Sequence, residues 1–287
     1  MEFTKMQGAG NDFIVVKTSN AEHDWSKLAI AMCDRHFGIG ADGLLLLLPS
    51  EIADFRMQVF NPDGSESNTC GNGLRCLVKY IVDGNLSNSS EIRRISIETA
   101  AGIRSAQIEK IVDRVTKIQT FMGKPGFGRK GAPLVVNEKE GDIIEVKSIP
   151  HYSINVVGRV ISLSLLSIGN PHAVCFYQES VNDFPLSEIG PIVEHDKAFP
   201  ARTNFSVARI ISRDRIEART WERGVGETLA CGSGACAITV VAKLLNYVDN
   251  KVDVIMPGGV LSVEWNGTDE VFLSGPAETV YTGEWLE

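Results

Sequence analysis

The stretch Glu222-Arg223-Gly224-Val225-Gly226-Glu227-Thr228-Leu229-Ala230-Cys231-Gly232-Ser233-Gly234 runs directly into Ala235-Cys236-Ala237-Ile238-Thr239-Val240-Val241-Ala242. Small residues open the run and apolar ones continue it, which predicts a helix beginning just after Cys231. The first amides of a helix have no internal partner, and the helix dipole places partial positive charge there. A thiol at that point is expected to ionise more easily, which makes Cys231 a candidate reactive thiolate. The glycines add unshielded backbone N–H groups that an anion can approach closely.

The same device stands earlier in the chain, where Cys70-Gly71-Asn72-Gly73 precedes Leu74-Arg75-Cys76-Leu77-Val78-Lys79-Tyr80-Ile81-Val82. Each copy has a glutamate four residues before its cysteine, Glu66 and Glu227, and an aromatic residue ten before it, Phe60 and Trp221. Other features recur in the same order. Asn11 to Asn170 is 159 residues, Cys70 to Cys231 is 161, Ile95 to Val252 is 157, and Gly123 to Gly275 is 152. Matched features at nearly constant offset indicate two similar lobes.

Strand-like runs fill each lobe. In the first they cover residues 3–6, 13–16, 44–48, 55–60, 95–98, 102–108 and 115–121. In the second they cover residues 162–166, 173–177, 205–211, 216–221, 252–255, 260–265 and 271–274. Residues 25–37 read as an amphipathic helix. Gly38-Ile39-Gly40-Ala41-Asp42-Gly43 satisfies G-x-G-x-x-G, but a dinucleotide site needs a strand before it and a helix after it. Here the order is reversed, so a helix C-cap and turn is the reading. Residues 83–90 and 137–142 read as surface loops. The two cysteine-led helices are apolar almost all round, as buried helices are. The expected fold is therefore α+β: two pseudo-symmetric lobes, each a mostly antiparallel sheet or barrel wrapped around a central helix. The lobes are placed at residues 1–121 and 122–287, with the final segment, about 277–287, packing back on the first.

A net charge of −8, from 28 basic and 36 acidic residues, argues against a nucleic-acid or anionic-membrane surface. The opening residues lack signal-peptide character, and the longest aliphatic run, residues 44–48, is far too short to span a bilayer. A cytoplasmic location with reduced thiols is the expectation. The six cysteines then read as core residues or reactive thiols. Their spacings, five intervening residues from Cys70 to Cys76 and four from Cys231 to Cys236, are poor matches to zinc-finger patterns, and there is no C-x-x-C. Cys33, Cys76, Cys175 and Cys236 read as small buried apolar residues. Glu66 and Glu227 read as acceptors for nearby backbone amides.

Two thiols facing each other across one bound molecule suit inversion of a stereocentre. One takes a proton from a carbon, and the other delivers a proton to the opposite face. Abstraction beside a carboxylate creates an enediolate-like anion, which backbone N–H groups of Asn72, Gly73, Ser233 and Gly234 are placed to stabilise. From the residues alone, a proline-racemase-like or phenazine-biosynthesis-like isomerase remains open, as does a thiol redox or zinc-binding protein.

The sequence resembles the diaminopimelate epimerase family over nearly its whole length. The resemblance rests on Lys5-Met6-Gln7-Gly8-Ala9-Gly10-Asn11-Asp12-Phe13, Phe60-Asn61-Pro62-Asp63-Gly64-Ser65-Glu66 and Cys70-Gly71-Asn72-Gly73. It continues in Gly169-Asn170-Pro171-His172, Arg202-Thr203-Asn204, Glu222-Arg223-Gly224, Ala230-Cys231-Gly232-Ser233-Gly234, Pro257-Gly258-Gly259 and Gly275-Pro276-Ala277. It implies that Cys70 and Cys231 are the two acid–base residues of an epimerase acting on diaminopimelate, in lysine and peptidoglycan precursor biosynthesis. Asn11, Asn61, Asn170, Asn204, Glu222 and Arg223 are implied to hold the substrate, with Gly71-Asn72 and Gly232-Ser233 at the carboxylate of the reacting carbon. His172 and Glu222 are implied to tune the thiols. No cofactor and no metal are implied, and many members are homodimers. Asparagines suit a zwitterion because they donate or accept without adding charge, and Arg223 offers a fork for a distal carboxylate. Many members carry glutamine where Gly43 stands here, so any substrate contact from that loop falls to other residues.

Overall fold

The computed structural model describes residues 1–67, 70–84, 86, 94–111, 114–127, 143–146, 149–156 and 158–286. The loop expected at residues 137–142 lies outside them, as does most of the one expected at residues 83–90. The chain divides into two compact units, Met1–Phe121 with Ser274–Glu287, and Met122–Leu273. Among the described residues no helix is long and apolar enough to cross a membrane.

The first unit begins with a hairpin of β1 (Glu2–Gly8) and β2 (Asn11–Lys17). Its two-residue turn has positive φ at both Ala9 (55°) and Gly10 (82°), the conformation that tight hairpins prefer. β2 pairs parallel with β3 (Gly43–Leu48), β3 antiparallel with β4 (Phe55–Phe60), β4 parallel with β5 (Arg94–Thr99), and β5 antiparallel with β6 (Gly102–Ile111). β7 (Arg114–Phe121) continues beside β6. A helix spans each parallel crossover: α1 (Trp25–Cys33) between β2 and β3, and α2 (Gly71–Asp83) between β4 and β5. The leucine run explains how the sheet carries both. Leu45 and Leu47 join Leu74, Leu77, Val78 and Ile81 of α2 on one face. Leu44, Leu46 and Leu48 meet Trp25, Ala29 and Met32 of α1 on the other. A strand covered on both faces has no polar alternation, so the sequence there is continuously apolar.

The second unit repeats this order. β10 (Arg159–Ser167) and β11 (Pro171–Phe176) are antiparallel, β11 and β12 (Asn204–Ser212) parallel, and β12 and β13 (Arg215–Glu222) antiparallel. A short β14 (Gly226–Thr228) folds back on β13. β13 and β15 (Lys251–Met256) are parallel, and β15 and β16 (Gly259–Glu264) antiparallel. Again a helix spans each parallel crossover, α3 (Leu186–Glu194) and α4 (Gly232–Leu244). α4 is buried from Gly232 to Ala242 except at Ser233. The α+β fold with a duplicated sheet-and-helix lobe is therefore present.

The structure adds to the sequence reading at three places. The helix expected over residues 25–37 ends at Cys33, because Asp34 turns out of it (ψ 125°) and its carboxylate takes the amides of His36 and Phe37, both at 2.7 Å. The periodicity did not single out α3, nor strands β8 (Ile143–Val146) and β9 (Ile149–Val156). After β17 (Phe272–Gly275), the last strand, β18 (Glu278–Glu284), pairs antiparallel with β1, as β9 does with β10 in the second unit.

Gly190 of α3 lies against the Trp221 indole, and a Cβ there would stand 2.6 Å from two ring atoms. Gly190→Ala is expected to cost about 3 kcal/mol of stability through overpacking, read as a lowered urea midpoint at unchanged slope.

Candidate active site

Cys70 and Cys231 occupy the same local geometry in the two repeats. Each is the N-cap of the buried helix, in extended backbone, at φ −138°, ψ 105° for Cys70 and φ −114°, ψ 110° for Cys231. Each sulfur accepts from the amide three residues on: Gly73 N to Cys70 Sγ at 3.2 Å, and Gly234 N to Cys231 Sγ at 3.3 Å. That third residue is glycine for a steric reason. A Cβ would lie 3.2 Å from the sulfur in either repeat, and 3.0 Å from Leu45 in the first or from Thr220 Oγ1 in the second. The amides of Gly73 and Gly234, expected to face an anionic intermediate, thus serve the cysteine sulfurs. Cys33, Cys76, Cys175 and Cys236 are buried in the core. Burial pushes the thiols of Cys33 and Cys175 up to about 11 and that of Cys76 to about 12.

In the first repeat, Asn72 is buried and its Oδ1 accepts from the Arg75 guanidinium at 2.7 Å. Asn72 Nδ2 donates to Asn11 Oδ1 at 3.4 Å, and Asn11 Nδ2 donates to Asp42 Oδ2 at 2.6 Å. Asn61 is bonded elsewhere: its amide and its Nδ2 both go to Ser65, at 2.8 and 2.9 Å, closing the turn at residues 61–65. A Cβ at Gly43 would stand 3.0 Å from the Phe60 carbonyl oxygen. The neighbouring Asp42 makes the contact to Asn11 from this loop. Burial raises the Asp12 carboxyl, but hydrogen bonds from Arg35 and Lys5 outweigh it and hold the group at about 2.

In the second repeat the candidates form a connected set. Asn170 Nδ2 donates to Ser233 Oγ at 3.4 Å, and Ser233 Oγ lies 3.6 Å from Cys231 Sγ. Asn170 Oδ1 sits 3.0 Å from His172 Nε2. A carbonyl oxygen only accepts, so Nε2 carries the proton. Asn204 is buried, donates from Nδ2 to the Pro171 carbonyl at 2.8 Å and accepts the Arg223 amide at 3.0 Å. The Arg223 guanidinium donates to the Ala201 carbonyl at 2.9 Å. Glu222 accepts from Thr228 Oγ1 at 2.6 Å and is hydrogen-bonded to Cys231.

Electrostatics reverse one expectation. The Cys231 thiol lies well above its ordinary value, first through burial and then through the charge of Glu222. The hydrogen bonds of Ser233 and Gly234 pull the other way without prevailing. Cap position alone argued for easier ionisation; desolvation of a thiolate costs more than the cap returns. His172 is pushed down to about 3 by burial and then by Arg223, so its imidazole is neutral. A histidine whose folded value lies below its unfolded one, ordinarily near 6.5, contributes stability that is complete above that value and fades as pH falls toward 3. Stability is expected to drop by up to about 1.4 kcal/mol per pH unit across that window. His172→Asn should flatten this part of a plot of urea midpoint against pH.

Three residues escaped the sequence reading. Arg75 is fully buried on the mostly apolar inner face of α2; Arg75 Nε also donates to the Pro276 carbonyl at 3.3 Å. The lone arginine on that face was the available signal. Asp42 sat inside a glycine-rich turn. Glu194, buried at the end of α3, accepts from Trp221 Nε1 at 2.7 Å and the Gly224 amide at 2.9 Å, and meets Arg202 at 3.5 Å. Burial works against its charge, yet those partners and His195 bring the carboxyl below its ordinary value. Glu194 thereby holds both ends of the Trp221–Gly224 segment that carries Glu222 and Arg223. Glu194→Ala strips the Trp221 and Gly224 N–H groups of their acceptor, and a loss of about 3 kcal/mol in chemical denaturation is expected. Glu227 also differs from expectation. Its carboxylate takes Arg219 side-on, at 2.7 and 3.0 Å, in place of backbone amides, while Glu66 accepts from Gln58 Nε2 at 3.4 Å.

A profile of the family described as diaminopimelate epimerase matches residues 3–127 and 164–280. A protein named diaminopimelate epimerase from Methanococcus maripaludis is 43% identical over 286 residues, covering 99% of each chain. One of the same name from Halothermothrix orenii is 42% identical over 287 residues, covering 99% of this chain and 97% of its own. Among solved structures, a probable proline racemase from Agrobacterium radiobacter K84 superposes with a TM-score of 0.70 at 15% identity, covering 99% of this chain and 92% of its own. A phenazine biosynthesis protein of the PhzF family from Bacillus anthracis gives 0.66 at 17% identity, covering 100% and 99%. At such identities these two likenesses concern the fold alone.

Proposed function

The chain belongs to the diaminopimelate epimerase family, and on that premise we propose that it interconverts LL- and meso-diaminopimelate by two-base proton exchange at the α-carbon, with Cys70 and Cys231 as base and acid. The observation that carries this reading is the matched N-cap placement of the two sulfurs, each beside a glycine amide. In the direction in which Cys70 removes the α-proton, Cys231 enters protonated, supported by its burial and by Glu222. In the reverse direction the two exchange roles. Neutral His172 acts on the Cys231 thiol through Asn170 and Ser233, and the charged Glu222 acts on it by direct bonding.

Diaminopimelate carries an ammonium and a carboxylate at either end. Asn11, Asn61, Asn170, Asn204, Glu222 and Arg223 hold these groups, and Gly71-Asn72 with Gly232-Ser233 receive the carboxylate at the reacting carbon. A fixed distal end orients the reacting carbon for proton transfer. The net change is one proton lost and one proton gained at the α-carbon, so the reaction needs no oxidant or reductant.

The test is isotope exchange. LL-Diaminopimelate incubated with the enzyme in D2O, with no added pyridoxal phosphate, should yield meso product with deuterium at one α-carbon. L-Proline in a parallel reaction should remain unlabelled. Labelled proline with unlabelled diaminopimelate would reject this substrate.

A further inference from the structure

We propose that Asp42 and Arg75 are positioning residues that fix the orientation in which the Asn11 and Asn72 amides are held for the substrate. The inference rests on the substrate-binding role proposed above for those two asparagines.

A carboxamide has a donor end and an acceptor end of nearly equal size. Its orientation is undetermined unless a neighbour is restricted to one role. Here both ends of a four-residue chain are restricted. The Asp42 carboxylate, paired with Arg35 at 2.7 Å, only accepts. The Arg75 guanidinium only donates. Between them, Asn11 turns Nδ2 to Asp42 at 2.6 Å and Oδ1 to Asn72 at 3.4 Å, and Asn72 turns Oδ1 to Arg75 at 2.7 Å. Turning Asn11 end for end would set oxygen against the Asp42 carboxylate and Nδ2 against Asn72 Nδ2. Turning Asn72 would set its Nδ2 against the guanidinium. Polarity therefore runs in one direction from the anion at one end to the buried cation at the other.

Nothing else in the loop at residues 38–43 can reach Asn11 in the same way. Gly43 has no side chain, and the Phe60 carbonyl leaves no room for one without displacement. Asp42 also accepts the Asp12 amide at 3.1 Å, which ties the carboxylate to the β1–β2 hairpin end where Asn11 stands. The anchor at the other end is equally constrained, since Arg75 also bonds to the carbonyls of Gly71 and Pro276.

The test is a double-mutant cycle on the full-length enzyme, with kcat and KM for LL-diaminopimelate. The Asp42 side chain is 41% exposed, so Asp42→Ala should fold, checked by its melting curve. Asp42→Ala should raise KM about tenfold while kcat changes by less than about threefold. In an Asn11→Ala background the same substitution should change KM by less than about twofold, because it acts through Asn11. Multiplication of the two single effects overturns the proposal and leaves the role of Asn11 intact. An unchanged KM in Asn11→Ala instead removes the binding role on which the proposal stands. At the far end, Arg75→Lys keeps a pure donor and should stay within about threefold of wild-type KM, whereas Arg75→Gln admits a turned amide and should match Asp42→Ala. Equal KM values for folded Lys and Gln variants also overturn it; if the Gln variant does not fold, the Asp42–Asn11 cycle alone decides.

Discussion

Cys70→Ala and Cys231→Ala should each lower turnover of LL-diaminopimelate by roughly 10²–10⁴-fold, the usual worth of a positioned acid–base group. The two losses should not multiply, since one exchange needs both groups. The folds should survive. Losing the sulfur frees the Gly73 or Gly234 amide at a helix start, a cap loss of about 1 kcal/mol. Stopped assays of meso product, with a melting curve for each variant, measure both quantities. A folded variant that turns over at the wild-type rate would remove its cysteine from the mechanism. Deuterium exchange adds a second reading: a single remaining thiol cannot supply protons to both faces, so labelled meso product should fall with turnover.

Glu222→Gln is expected to move a pH limb as well as a rate. The Cys231 thiol is raised first by burial and then by the Glu222 charge. When Cys231 acts as the acid it must be protonated, so kcat/KM declines as pH climbs through its value in the free enzyme. Removing the Glu222 charge removes one of the raising causes, so that decline should begin at a lower pH than in the wild type. Because Glu222 also bonds Cys231 and is proposed to meet the substrate ammonium, kcat/KM on the plateau should fall as well, by about 10²-fold. Rate profiles from neutral to strongly alkaline pH in both enzymes decide the matter. A limb that stays in place, or moves upward, would mean that Glu222 does not act on this thiol electrostatically.

Much of the architecture could be read along the chain because the determinants are local. A cysteine followed by Gly-x-Gly and an apolar run specifies a helix start, since only small residues leave the first amides open. Two such starts in matching surroundings specify a repeat. The continuous leucines at residues 44–48 specify a strand covered on both faces. Less of the bonding within the candidate site was legible. Cys70, Cys231 and the asparagines stood out as candidates, but Asn61 bonds within its own turn, and the Gly73 and Gly234 amides face the sulfurs.

Tertiary structure decided what depends on distant partners. Arg75 is accommodated on the buried face of α2 in part because a carbonyl 201 residues away, at Pro276, returns to meet it. Glu194 matters through Trp221 and Gly224, which reach it only after α3 packs beside β13. The Cys231 thiol shows the division most directly. Its sequence neighbourhood supplies the cap, which favours the thiolate, whereas the packing of the whole lobe supplies the burial, which disfavours it more strongly. Hydrogen bonds at a helix start reach over three residues and are written in the sequence, while the solvent withdrawn from a sulfur depends on every chain segment that closes over it.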